Sequence, residues 1–351
     1  MAAGLFELRK DAITGWWVAT VVDRAFHRDR FTLAAEPVPD GGRCQNCVEP
    51  PGDGVRLRTL KDFAFHVVGT ESEARELDAS LVQVAISTAR ASGSWRTAVA
   101  APGEHRPLHA VGTSTIAELL AICRGAIAEA HRAGQTEYLQ VVQNWGAQAG
   151  ARTNHLCLDL YDLPQLPHRV AEEIGGSARY VIREGGCPWC RLVADETGRP
   201  DRLVHEDASS VAFAPYASRS PFEVWIVPRR HEADFGRATD ADVEATAESL
   251  RQVLARLATL DGPPYNLVLH TAPLREQVDA TFHWHWEVHP RLREIAGLEL
   301  GTGLPVNPVS PEDAVDELLR HAARGEEPKR VPTDRRVPEP AQRGGDGSAR
   351  E

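Results

Sequence analysis

No stretch of this 351-residue sequence approaches eighteen consecutive apolar residues, so no helical membrane span is expected. The opening residues, Met1 to Lys10, hold no apolar segment of the kind a secretory signal needs. A cytoplasmic, reducing setting is therefore the expectation. Positive charge is also scarce: 39 Lys and Arg face 50 Asp and Glu, giving a net charge of −11, which argues against a nucleic-acid backbone as partner. Cysteine is sparse at six residues, and in a reducing compartment these are not expected to form disulfides. With 42% hydrophobic and 25% charged residues, the chain has the make-up of a soluble globular protein, and its length allows two domains.

Four of the six cysteines fall into two pairs, Cys44-Gln45-Asn46-Cys47 and Cys187-Pro188-Trp189-Cys190. Reduced thiols at this spacing are metal ligands or redox centres. Neither pair is read as opening a helix after a strand, which favours metal over thioredoxin-like chemistry. A second concentration of chemistry lies in Phe282-His283-Trp284-His285-Trp286-Glu287-Val288-His289-Pro290. Successive side chains of a strand point to opposite faces, so His283, His285, Glu287 and His289 share one side, while Trp284, Trp286 and Val288 share the core side. His289 is expected to tie down the strand end.

The two halves read in the same order. In the first, the Cys44 pair lies in a Pro- and Gly-rich loop, strands at 64–68 and 95–100 lead to Glu104-His105, and a helix over 114–133 follows. Thr113 or Ser114 caps that helix and Gly134 stops it. A strand at 138–143, a small-residue loop at 144–151 and a strand at 154–160 complete the half. In the second, the Cys187 pair precedes strands at 210–214 and 222–228, which lead to His231. An amphipathic helix over 239–260, a strand at 266–270 and the His row follow. This order suggests an internal duplication. A last helix spans 311–324, and 325–351, poor in apolar residues, is expected to be disordered.

Each half thus offers two Cys and two His: Cys44, Cys47, His105 and His155, then Cys187, Cys190, His231 and His283. Such sets suit tetrahedral zinc. If His283 closes a zinc shell, His285 is left beside it as a nucleophile able to attack phosphorus. Alternatively, His283, His285 and Glu287 hold one metal together as an open hydrolytic site. His270, just before a loop, falls near this second-half site, and Glu104 is placed to orient a ligand.

These residues bring a family into view. Arg9 to Val18, the Cys44 pair, Glu104-His105, Asn144 to Ala151, His155-Leu156-Cys157, the Cys187 pair, Pro228 to His231, Leu269 to Pro273, Phe282 to Glu287 and Gly301-Thr302-Gly303 resemble the galactose-1-phosphate uridylyltransferases. The resemblance implies an α+β fold of two histidine-triad-like repeats, with antiparallel sheets forming half-barrels and helices packed on one side. The repeats would span 1–165 and 166–324, with the tail at 325–351. It also implies a cytoplasmic homodimer with zinc, acting in galactose or other carbohydrate metabolism, which moves a nucleoside monophosphate between a nucleotide sugar and a sugar 1-phosphate through a nucleotidyl-His. In the family's first-half motif one His binds zinc, a second attacks phosphorus and a Gln contacts phosphate. These positions fall on His155, Cys157 and Asp159, and Arg152 stands where the family has Ser. Arg24, Asn144, Gly150, Arg152 and Asp159 are the implied nucleotide-binding residues, and Cys157 and His285 the candidates for the missing nucleophile. A relative that keeps the braced fold and binds a nucleotide or partner without turnover is the competing reading.

Overall fold

The computed structural model describes residues 6–22, 31, 34–38, 44–48, 54–70 and 86–323, with backbone alone for Gln45, Val48, 62–70, 86–92 and 321–323. Arg24 and the segment 325–351 lie outside the described residues. Twelve strands are described: β1 (Phe6–Lys10), β2 (Trp17–Val21), β3 (Arg56–Thr70), β4 (Ile86–Val99), β5 (Tyr138–Trp145), β6 (Cys157–Leu163), β7 (Leu203–Glu206), β8 (Ser210–Phe213), β9 (Val224–Pro228), β10 (Tyr265–His270), β11 (His285–Pro290) and β12 (Val306–Asn307). The helices are α1 (Gln45–Val48), α2 (Thr113–Ala133), α3 (His168–Glu184), α4 (Pro188–Thr197), α5 (Asp240–Ala258), α6 (Gly297–Thr302) and α7 (Pro311–Ala323). Among them, none is long and apolar enough to cross a membrane.

Nine strands form one open antiparallel sheet in the order β3-β4-β6-β5-β10-β11-β9-β8-β7, and β1, β2 and β12 form a small second sheet. The α+β class follows the expectation. β5 and β10 pair antiparallel, from Tyr265 opposite Trp145 to Leu269 opposite Val141. About that junction the order reads alike in both directions: β4-β6-β5 on one side, β9-β11-β10 on the other. Two half-sheets thus hide what would be exposed edges by pairing with each other.

Strand periodicity decides what each face meets. Leu158, Leu160, Val141, Leu267, Leu269, Trp286, Val288 and Ile226 face α2 and α5 in one apolar core. Trp284 joins them, as the period-two reading requires. The alternate residues of the outer strands, Val211, Phe213, Trp225 and Val227, pack with Trp189 and Val193 of α4 in a second cluster. The helix boundaries have local causes. α5 starts in a capping box in which the Thr239 hydroxyl accepts from Asp242 N and the Asp242 carboxylate accepts from Thr239 N. α2 starts after Gly112 with no side-chain cap, against the expected Thr113 or Ser114 cap, and ends at Gly134 at φ 60°, as read.

The sequence reading assigns nothing to 168–184, where the structure places α3. Its Gly176 lies directly against the turn at Asp11–Thr14: a Cβ there would sit 1.9 Å from the Ile13 carbonyl oxygen. Gly176→Ala is therefore expected to cost about 1–3 kcal/mol through overpacking against rigid backbone. Urea unfolding of the two proteins checks it; equal midpoints would show that the turn yields freely.

Candidate active site and metal clusters

Cross-strand partners share a face, so register shows which side chains can meet. On the face away from α2 and α5, one row runs Thr97, Asp159, Val142, Val268, Glu287 and Trp225 across six strands. Trp95 stands opposite Tyr161, and Val99 opposite Cys157. Asn144 is opposite Asn266, which is opposite His289, and His270 is opposite His285. Much of the chemistry expected from the sequence therefore occupies one sheet face.

At the start of β6 the structure gathers Cys44, Cys47, His105 and His155, with ligand atoms within 4.8 Å of one another. Cys47 Sγ lies 3.2 Å from His105 Nε2 and 3.5 Å from His155 Nδ1, and Cys44 Sγ lies 3.7 Å from the same Nδ1. The other nitrogen of His155 is 3.1 Å from the Ala100 carbonyl, which fixes the ring and turns Nδ1 toward the thiols. Burial pushes the His155 pKa down and so favours the neutral imidazole that a metal needs. A two-sulfur, two-nitrogen set with an oriented ring fits zinc. The Glu104 side chain binds Arg106 instead of a ligand ring; only its carbonyl, accepting from Leu156 N, braces the segment.

The second set, Cys187, Cys190, His231 and His283, also converges within 4.8 Å. Cys190 Sγ lies 3.3 Å from His231 Nδ1 and 3.5 Å from His283 Nε2, and the two rings approach to 2.9 Å. Its donor set fits zinc equally well. Here Cys190 and His231 are exposed, and His283 is buried. Cys187 caps α4, with Pro188 as its first residue, and the element before it is helix α3, so this pair opens a helix but not after a strand.

The His row is divided between two places. His283 goes to the second set, whereas His285 and Glu287 join Glu173 and His270 in a fully buried quartet. No open site made of His283, His285 and Glu287 exists. His270 Nδ1 is 2.8 Å from Glu173 Oε2. His285 Nε2 has no hydrogen-bond partner, the carboxylates of Glu173 and Glu287 lying 3.9 Å away, and Glu173 Oε1 accepts no hydrogen bond, with Arg169 Nε at 3.7 Å. Orphaned buried acceptors around two His and two carboxylates fit a cation. Burial opposes charge on Glu287, yet Arg219, His270 and His289 hold its pKa well below the ordinary value. Arg169, Arg219 and His289 bond its oxygens at 3.2, 2.9 and 2.9 Å. Burial instead raises Glu173 well above its ordinary value. His285, packed 4.3 Å from the Trp189 ring and pushed down to about 4 by burial, has no open face from which to attack a substrate. Glu173 escaped the sequence reading because its helix did; the apolar Val170 and Ile174 at helical spacing were the available signal.

Cys157 occupies the expected attacking position on the open face, half-buried, two residues beyond His155. Burial, with the Asp159 carboxylate adding to it, pushes its thiol up to about 12. Arg152 donates to Asp159 at 2.9 Å, and its guanidinium lies 4.5 Å from the Trp95 ring centre, which in turn stacks on Tyr161. Arg152 is thus held flat and partly neutralised. Asn144 Oδ1 accepts from Asn266 Nδ2 at 2.6 Å, and the same Nδ2 reaches the Ala149 carbonyl. The intervening loop turns at Gly146 (φ 85°), where a Cβ would meet Pro264 at 2.9 Å, and at Gly150 (φ 78°). Alkylation of Cys157 is expected to climb about tenfold per pH unit from pH 7 with no plateau below about pH 11, because only the thiolate reacts. Peptide-resolved alkylation rates test this; a plateau near neutral pH would reveal an activated thiolate.

The chain is similar to several known proteins. ADP-glucose phosphorylase from Arabidopsis thaliana is 28% identical over 90% of this chain and 93% of its own length. The crystal structure of an ADP-glucose phosphorylase from that plant with bound ADP-glucose superposes with a TM-score of 0.69 at 25% identity, covering 90% of this chain and 98% of the other. Galactose-1-phosphate uridylyltransferase from Thermotoga maritima is 30% identical over 52% of this chain and 59% of its own. The chain is a relative of these enzymes and of nucleotidyltransferase type. By a match over residues 104–343, it belongs to the family described as a domain of unknown function, DUF4921.

Proposed function

We propose that this protein is a cytoplasmic, zinc-braced nucleotidyltransferase or phosphorylase that takes a nucleotide sugar and passes its nucleotide to a phosphate or sugar 1-phosphate. The observation that carries the reading is similarity to an ADP-glucose phosphorylase along nine-tenths of the chain. The repeats are taken as 1–165 and 166–324, and the working unit as a homodimer. In this reading Asn144, Gly150 and the loop between them cradle the nucleotide, with Arg24 as a further contact. Arg152, oriented by Asp159 and Trp95, directs its remaining N–H groups to phosphate oxygens. Cys44, Cys47, His105 and His155 would hold one zinc, and Cys187, Cys190, His231 and His283 a second. Bound there, the metal supplies a fixed tetrahedral brace. Glu173, His270, His285 and Glu287 would hold a further cation inside the protein, which assigns His285 to structure.

The neutral thiol at the attacking position favours direct displacement: an acceptor oxygen bonds to the α-phosphorus as the bond to the sugar-phosphate oxygen breaks. A covalent route through Cys157 is the second reading, favoured by its place on the open face beside His155. There a P–S bond forms as sugar 1-phosphate leaves, and the acceptor then breaks it.

The test combines ADP-, UDP-, GDP- and TDP-sugars with phosphate or hexose 1-phosphates, follows products, and maps peptides by mass spectrometry. Turnover without an adduct is the expected result. An adduct on Cys157 would establish the covalent route, and one on His285 would overturn its structural assignment. Binding without turnover for any donor would reduce the protein to a nucleotide-binding relative.

A further inference from the structure

We propose that Cys187 and Cys190 form a thiol latch: bound to metal with His231 and His283 they hold the segment 279–283 in place, and peroxide oxidation to a Cys187–Cys190 disulfide releases metal and segment together. The inference rests on the metal reading of this cluster given above. Several independent features converge on it.

Cys187 is the N-cap of α4 and Cys190 lies in its first turn, so the two thiols converge within one helical turn, with their sulfurs within 4.8 Å of each other. Cys190 is exposed and Cys187 half-buried, which makes Cys190 the thiol that meets an oxidant and Cys187 the one that resolves it. In the first cluster both cysteines are half-buried, and Cys47 Sγ also accepts from Gly103 N at 3.3 Å. The two pairs therefore differ in access, although they share a spacing.

The second feature is what the cluster holds. Residues 271–284 contain neither helix nor strand. They are fastened from the cluster side: His231 Nε2 lies 2.5 Å from the Asp279 carbonyl, and Cys187 Sγ lies 3.8 Å from the Thr281 carbonyl. Arg237 bonds the Asp279 carboxylate, and Trp284 N donates to the Glu232 carbonyl at 3.0 Å. The segment walls a cavity of about 450 Å³ whose other side is His131, Asp234 and Arg237. Its two ends are ligand positions: His270 of the buried quartet precedes it, and His283 closes it, two residues before His285. The start of the segment is held elsewhere, Ala272 N donating to the Ala233 carbonyl and Leu274 N to the Glu137 carbonyl, both at 2.9 Å, so letting go of His231 and His283 frees its end at 279–283 and loosens the quartet from the His285 side.

The chemistry balances with hydrogen peroxide as the oxidant. The Cys190 thiolate attacks one peroxide oxygen, the O–O bond breaks, and hydroxide leaves to become water. The Cys187 thiol then attacks the sulfenic sulfur, forming the S–S bond and releasing a second water. The disulfide has no thiolate left for the metal, which departs.

The experiment uses full-length protein with its metal content first measured by elemental analysis. Peroxide is titrated in while zinc release is followed with a chromogenic chelator, thiols are trapped and mapped, and hydrogen exchange is read by peptide. Expected are a Cys187–Cys190 disulfide before any Cys44–Cys47 disulfide, zinc release in step with it, and about tenfold faster exchange in 279–283 with α2 unchanged. Dithiothreitol with zinc should restore protection. Arg237→Ala, which loosens Asp279 while leaving all four cluster residues, should speed exchange in 279–283 before oxidation. Earlier or simultaneous oxidation of Cys44 and Cys47, or a Cys187–Cys190 disulfide with unchanged exchange, overturns the latch. Protein without metal at this cluster overturns it too, and separates that failure from failure of the latch itself.

Discussion

Removing metal from the Cys44, Cys47, His105 and His155 cluster is expected to lower the melting temperature by about 5 °C. A ligand present at a thousand times its Kd stabilises the fold by about 4 kcal/mol. At roughly 2.1 cal/mol/K of unfolding entropy per residue, each kcal/mol corresponds to about 1.4 °C for a chain of this length. The cluster joins three parts of the chain: Cys44 and Cys47 at α1, His105 in the loop after β4, and His155 at the entry to β6. Cys47→Ser should reproduce the chelator effect, since it also takes from Gly103 N its sulfur acceptor. Calorimetry with and without chelator, with zinc measured in parallel, is the check. A metal-bearing protein that melts unchanged after full chelation would show that the loops are held by packing alone.

Arg152→Ala is expected to lower kcat/KM for the nucleotide donor by about a hundredfold, the scale of losing one preorganised charged donor at a phosphate. Asp159→Asn should cost less, because Arg152 keeps its place on Trp95. Their order distinguishes a phosphate clamp from a structural pair: if Arg152 and Asp159 serve only each other, removing either has the same small effect. The pair also explains how the sheet face tolerates a carboxylate where the related family has a neutral Gln. A lone buried Asp159 beside a diphosphate would be a costly like-charge contact, and the guanidinium at 2.9 Å cancels most of it. Cys157→His adds a complementary reading of the groove. If a nucleotide binds as proposed, the imidazole is placed to gain a labile nucleotidyl adduct absent from the parent protein.

The two clusters of Cys and His are legible in the sequence because they are written in short-range patterns. A Cys-x-x-Cys pair places two thiols on one ion whatever surrounds it, and period-two alternation separates His285 and Glu287 from Trp286 and Val288. The helical stripe over 114–133 and the stop at Gly134 are local in the same sense. α3 was not legible: Gly175 and Gly176 interrupt its pattern, and the reason for Gly176 is a backbone contact with Ile13, far away in the chain.

What the sequence by itself determined is the inventory: two Cys2His2 sets, a two-faced strand, and a Cys-Asp-Arg departure from the related family's phosphate site. What only the tertiary structure decided is how that inventory is divided. It sent His283 outward to Cys190 and His285 inward to Glu173, residues apart in sequence but brought together by α3 and β11. It made the Cys157 thiol neutral and paired Arg152 with Asp159. Burial and long-range charge set these outcomes. Both depend on which elements pack against a side chain, and no local pattern of residue types contains that information.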